Sequence, residues 1–399
     1  MRQYYVDAAA TTPLAPSVLE VLLPLLGESH GNASSAHWAG RLSQRVVDEA
    51  REQVAELMAT GSAAVIFTSG ATESNNMALF GMVDSAIGDR RELVTVATEH
   101  PSVLRTMQAL EARGHPLHVL RVDEHGQVDQ EQLAAVVTPR TLLVSVQAAN
   151  NETGVIQDIK AIGDLAHARG AALHVDASQL MVWGQLPGGW DCDLITISGH
   201  KMHGPQGVGA LIVARSLRQK LQPRQYGGGQ EGGLRSGTTN VPGVAGLGAA
   251  ARLASDSGSD AARVVEAMRS ELGRRLLNAL PGTRDSAAGA ARRLPGILNV
   301  SLGSQGHSID AEAVLAQMPN VAASTGSACS SGAPGPSPVL LAMGFSQERA
   351  ASSLRMSLSR MSTQEEVEAV VPLTIDAVRT VGALSEDGSV QLQERVVSL

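Results

Sequence analysis

The stretch LITISGHKMHGPQGVG, residues 194–209, poses the question on which the fold turns. Four apolar or β-branched residues at 194–197 run into Ser198, Gly199, His200 and Lys201, and a glycine-rich turn follows. A run of that length bounded by glycine reads as a buried strand. A cation at the end of a buried strand is costly unless it has chemistry to perform. Lys201 is therefore the first functional candidate.

Working outward, the same pattern recurs. Short apolar runs at 63–67, 92–97, 117–121, 141–146, 171–176, 193–198 and 207–213 alternate with longer amphipathic stretches. Two of these, VLRTMQALEARG (103–114) and IKAIGDLAHARG (159–170), stop at a glycine after a basic residue, as helices do. Strands alternating with helices predict an α/β unit built on a largely parallel sheet. Ser, Gly and Asp cluster in ARLASDSGSDAAR (251–263), which predicts a break in the chain. Beyond it a helical stretch, a strand at 297–302, another helix and a further strand predict a smaller α+β unit. The expected division is 14–255 for the large unit, with 1–13 and 256–399 forming the small one. The final helix is expected to end near Val381, leaving SEDGSVQLQERVVSL (385–399) as a polar, mobile end.

The bulk numbers narrow the function. A net charge of -8 argues against a broad nucleic-acid or anionic-membrane surface. No apolar run has the length of a membrane span, and MRQYYVDAAATTP lacks the apolar region of a signal peptide. With only two cysteines, Cys192 and Cys329, there is no disulfide framework, and a reducing, cytoplasmic setting is expected. His200 and His203 are spaced H-x-x-H, but no carboxylate or cysteine pattern accompanies them, so no metal is expected. No G-x-G-x-x-G follows the first strand, which argues against a dinucleotide-binding dehydrogenase.

In open α/β sheets the ligand crevice lies beyond the carboxyl ends of the strands. Here those ends carry His100, Asn151, Asp176 with Gln179, and Ser198 with His200 and Lys201. The first strand runs into TSGAT, where Gly70, Ala71 and Thr72 open a helix whose N–H groups form a phosphate cup. Singly, each signal has a bland reading as a cap, a turn former or a satisfied core residue. Jointly they match pyridoxal phosphate, which needs a lysine for its attachment, a carboxylate to keep the pyridine nitrogen protonated, and a seat for its phosphate.

The residues also resemble a known family. YVDAAATTP, GNASSAH, FTSGATESNN, TEHPSV, NNETGVIQDI, HVDASQ, SGHKMHGPQGVGAL, RSGTTN, STGSACSS and SSLRMSLSR look like the successive motifs of cysteine desulfurases, in the branch with a long active-site loop. The likeness spans residues 4 to about 380. It implies the fold type I architecture of pyridoxal-phosphate-dependent transferases: a large domain with a mostly parallel seven-stranded sheet, plus a small α+β domain. It implies a homodimer and transfer of sulfur from L-cysteine to an acceptor protein.

By the same resemblance Lys201 would hold the cofactor and Asp176 would pair with the ring nitrogen. Gln179 would donate to the ring hydroxyl, and His100 would stack on the ring and assist proton transfer. Thr72, Ser198 and His200 would hold the phosphate, joined by Thr238 from the partner subunit. Asn151 and Arg355 would bind the substrate carboxylate, and Cys329 would accept the sulfur. On residues alone Cys329 has two readings: a small apolar residue ending a strand, or a nucleophile on a Ser/Gly/Pro loop. Cys192, between two aspartates that would raise its pKa, reads as a strand-entry residue. The rival activities are a selenocysteine lyase, which would form little persulfide from cysteine, and an aminotransferase, which needs no loop cysteine. The acceptor stays open among iron–sulfur assembly, tRNA thiolation, DNA sulfur modification and thio-metabolite synthesis.

Overall fold

The strand candidates between residues 62 and 215 all enter one seven-stranded sheet. The fold, a computed structural model, describes residues 2–27, 30–86, 88–184, 186–304, 307–325 and 335–397, with side chains placed as far as Leu384. The strands are β1 (Val65–Thr68), β2 (Glu92–Val96), β3 (Leu117–Leu120), β4 (Thr141–Gln147), β5 (Ala172–Asp176), β6 (Leu194–Ser198) and β7 (Gly209–Val213). Their order across the sheet is β1-β7-β6-β5-β4-β2-β3. Only β7 runs against its neighbours; every other pair is parallel.

Parallel strands need crossover helices, and helices on both faces explain why the strands are apolar throughout rather than alternating. On one face Leu93, Leu143, Leu194 and Leu211 pack with Met77, Leu79, Met107 and Leu110 from the helices Ala71–Asp84 and Pro101–Glu111. On the other, Val94, Val144, Val175 and Ile197 pack with Val47 and Val54 of the helix Trp38–Leu57 and Leu247 of the helix Val241–Ala279. Gly114 and Gly170 take positive φ just past their helices, as the stop signals predict.

A four-stranded antiparallel sheet joins Arg284–Asp285, Ile297–Ser301, Ser324–Thr325 and Ser353–Ser357. It has its own core, which includes Val6, Leu298, Val300, Leu354 and Met356. The chain start is stitched to this second unit: Tyr4–Tyr5 pairs in parallel with Val321–Ala322, and Asp7 bridges to Ser357.

Two expectations are corrected. There is no break at 251–263, because the helix Val241–Ala279 runs through it. Its residues through Ala254 belong to the first core, and those from Val265 to the second. The small residues that mimic a linker serve close packing: a Cβ at Gly258 would lie 2.4 Å from the backbone nitrogen of Gly184. Ser257 Oγ donates to the carbonyl of Leu253 and accepts from Arg360, so its hydroxyl is used within the helix interface. The final helix also does not end near Val381 but spans Gln364–Val397. Among the described residues no helix is long and apolar enough to cross a membrane.

Candidate active site

The carboxyl ends of β1, β2, β4, β5 and β6 converge on a cavity of about 580 Å³. Lys201 reaches it from the short 3-10 turn Gly199–Lys201 that follows β6. Its Nζ donates to the carbonyl oxygens of Ala9 and Ala10, the latter at 2.7 Å. Gln179 donates to the same Ala9 carbonyl at 2.9 Å. The turn at residues 8–10 and the residues just after it thus form a wall of the site. Thr11 Oγ1 meets His200 Nδ1 at 3.1 Å, and Thr12 exchanges hydrogen bonds with the backbone of His200 and His203.

The helix start expected at TSGAT is present. The helix Ala71–Asp84 opens at Gly70, which provides no side-chain cap, so the N–H groups of its first turn face the cavity lined by Gly70, Ala71 and Thr72. Gly70 sits at φ +147, and β7 begins against it: a Cβ on Gly209 would come 2.7 Å from Gly70 Cα. The glycine-rich turn after Lys201 therefore lets β7 pass directly beneath the cup. Ser198 and His200 complete this side. Burial and the neighbouring Lys201 push His200 down to about 4, so it is a neutral ring at pH 7.

Asp176, at the end of β5, is nearly buried. Its Oδ1 accepts from the backbone N–H and hydroxyl of Ser178 at 3.0 and 2.6 Å, and its Oδ2 from Asn75 Nδ2 at 2.8 Å. Neutral donors steady the anion and leave its charge to act on the cavity. His100 caps the helix Pro101–Glu111, and its Nδ1 accepts from the N–H of Ser102 at 3.1 Å. Burial lowers the pKa of its imidazole, with Lys201 adding to this and Asp176 opposing it. Glu99 lies beneath, fully buried; burial holds its carboxyl well above the usual range, and its Oε1 takes the N–H of Gln147 at 2.5 Å.

Gly70, Ala71, Thr72, His100 and Asn151 line the cavity, as do Asp176, Gln179, Ser198, His200 and Lys201. The other site residues lie elsewhere. Arg355 is 1% exposed and held in an ion pair with Asp7 Oδ1 at 2.8 Å, its Nη1 donating to the carbonyl of Asn151 at 3.0 Å. Thr238 is exposed, away from the cavity of its own chain. Cys329 lies outside the described residues. Cys192 is raised to about 12, chiefly by burial and then by Asp193 and Asp191, so it stays a thiol. Among the described residues no group of three or more His, Cys, Asp or Glu could hold a metal ion.

Residues the sequence reading did not select also line the cavity, including Ala10, Thr11, Glu73 and Gln147. Their types carry no chemical signature. One available signal went unused: the chain has three lysines, Lys160, Lys201 and Lys220. Lys160 and Lys220 are exposed, leaving Lys201 the one at a cavity.

The model of the aminotransferase class-V family matches residues 4–370. The cysteine desulfurase IscS of Anaeromyxobacter sp. (strain Fw109-5) is 43% identical over 385 residues, covering 96% of this chain and 94% of that one. The chain belongs to the cysteine desulfurases of aminotransferase class V. Among solved structures, one described as a NifS-like protein matches this desulfurase with a TM-score of 0.87 at 32% identity, covering 95% of the chain and all of that one. A structure of SspA in complex with cysteine matches with a TM-score of 0.78 at 30% identity, covering 90% of this chain and 100% of that one. Pyridoxal phosphate is the cofactor of this desulfurase. The cavity fits it: an uncapped helix start for the phosphate, a buried carboxylate for the ring nitrogen, and a lysine amine on the wall between them.

Proposed function

We infer that this protein removes the sulfur of L-cysteine, releases alanine, and passes the sulfur on as a persulfide of Cys329. The observation that carries the reading is the meeting of Lys201, Asp176 and the uncapped helix start in one cavity at the strand ends. The relative bound to cysteine supports the substrate. Bound pyridoxal phosphate supplies the electron sink that stabilises negative charge at the substrate α-carbon.

The chain's own residues do the rest. The first-turn N–H groups after Gly70, with Thr72, Ser198 and His200, seat the phosphate. Asp176 would keep the ring nitrogen of the bound cofactor protonated, Gln179 would donate to its hydroxyl, and His100 would lie against the ring; all three line the cavity. Asn151 and Arg355, joined through the Asn151 carbonyl, take the substrate carboxylate. Lys201 Nζ holds the cofactor and then moves the α-proton. Cys329 attacks the substrate sulfur as a thiolate: an S–S bond forms, the C–S bond breaks, and the carbon skeleton leaves as alanine after protonation. A thiol with an ordinary pKa of about 8.5 is only about 3% ionised at pH 7, so the attack needs a proton acceptor or a nearby cation.

Replacing Cys329 with Ala is expected to leave the visible absorbance of the bound cofactor intact and to stop persulfide formation. Mass spectrometry after incubation with L-cysteine reads the added sulfur directly. Turnover of cysteine at the parent rate by that variant would overturn the assignment.

We propose further that the working form is a homodimer. Leu19, Leu23 and Leu26, spaced to share one face of the helix Pro16–Gly27, are 42%, 58% and 68% exposed, and Trp38 at the start of the next helix is 71% exposed. Thr238 is exposed and does not line the cavity of its own chain, which leaves it available to that of a second copy. Light scattering is expected to give twice the 41.4 kDa chain mass, and Trp38→Arg to shift the protein towards the single chain. A parent protein of single-chain mass would end the proposal.

A further inference from the structure

Asn75 is fully buried on the helix Ala71–Asp84, behind the phosphate cup and out of the cavity wall. One amide nitrogen serves two partners: Nδ2 donates to Asp176 Oδ2 at 2.8 Å and to Ser102 Oγ at 2.9 Å. Ser102 Oγ in turn lies 2.8 Å from His100 Nδ1. The directions of these bonds follow from elementary donor and acceptor rules. An ionised carboxylate only accepts, so the amide nitrogen, not its oxygen, must face Asp176. With that nitrogen also donating to Ser102, the serine hydrogen is left for His100. His100 Nδ1 then accepts from the hydroxyl as well as from the Ser102 N–H, and the ring proton resides on Nε2. The Asn75 Oδ1 is buried with no hydrogen-bond partner, so the amide is held by its two donations alone.

We propose that Asn75 is a positioning residue: it ties Ser102 to Asp176, so that the Ser102 hydroxyl stays turned towards His100 Nδ1 and Nε2–H is presented as a donor to the reaction. The part played by His100 rests on the desulfurase reading above; the relay itself does not. Charged groups facing the ring are Asp176, which favours the imidazolium, and Lys201, which opposes it. Without Asn75 the serine hydroxyl is no longer held in that orientation and can turn a lone pair to a protonated Nδ1, so the imidazolium gains a partner.

The test uses the holoenzyme with ¹⁵N-labelled histidine, the His100 signal being identified by its loss in His100→Gln. The parent protein is expected to show the Nε2–H form at neutral pH. Asn75→Leu, of similar size, is expected to raise the His100 pKa by roughly half to one unit, the worth of one hydrogen bond. Ser102→Ala should raise it by a similar amount, Ser102→Thr should leave it near the parent value, and Asn75→Leu should add nothing in the Ser102→Ala background. Should Asn75→Leu not fold, the contrast between Ser102→Ala and Ser102→Thr still decides the matter. An unmoved pKa in Ser102→Ala, an Nδ1–H parent form, or additive shifts would each overturn the relay. Failure of the desulfurase reading is seen separately, as a parent protein that forms no persulfide from cysteine.

Discussion

Lys201→Ala is expected to lower cysteine turnover by at least about 10³-fold, the scale of losing a positioned nucleophile that also moves a proton. The side chain cannot be replaced from elsewhere. β6 is buried at every position and paired on both sides, so the backbone that carries Lys201 is set by the sheet. The amine is directed by the carbonyls of Ala9 and Ala10. Lys160 is on the surface, paired with Asp164 at 2.6 Å, and Lys220 is exposed. Borohydride reduction of the parent holoenzyme should therefore fix one pyridoxyl group per chain, at position 201, and none in the variant. Tryptic mapping reads the position. A pyridoxyl group on another lysine, or turnover within tenfold of the parent, would remove the centre of the proposed chemistry.

Arg355→Ala carries the largest expected loss of stability. The guanidinium lies in the middle of the strand Ser353–Ser357, at 1% exposure, and its partner Asp7 belongs to the opposite end of the chain. The pair ties the N-terminal wall of the site to the small sheet, where Ala8 and Ala9 also bond to Ser357. Removing one member of a buried pair leaves the other charge desolvated, which costs about 3–5 kcal/mol. Denaturant unfolding should register that loss, together with a raised KM for cysteine if Asn151 is no longer held. Arg355→Lys should recover part of the stability, since a single ammonium can reach Asp7 but cannot reproduce the planar fork. A loss below about 1 kcal/mol for the alanine variant would show that the pair contributes little, as exposed pairs do.

The catalytic geometry also separates what linear order can reveal from what it cannot. Strand runs, glycine stops and polar strand ends are local patterns, and they pointed to the sheet and to Lys201, Asp176 and the cup at Gly70. The 251–263 stretch misled because Gly and Ser are read as linkers when nearby packing is unknown; against Trp183 and Gly184 the same small residues permit a tight helix crossing. Thr72 and Asn75 lie three positions apart in one motif, yet one faces the cavity and the other is buried beside Asp176 and Ser102.

Periodicity and strand-end chemistry, both properties of neighbouring residues, were enough for the α/β sheet and the cofactor class, and they picked out the lysine that lines the cavity. Contacts between distant segments were not: the Ala9 and Ala10 carbonyls on Lys201, the Asp7–Arg355 pair and the Asn75–Ser102–His100 chain join positions up to 348 apart. Such contacts exist only once distant elements have been packed against each other, because a hydrogen bond is set by angles and separations in space that order along the chain does not encode.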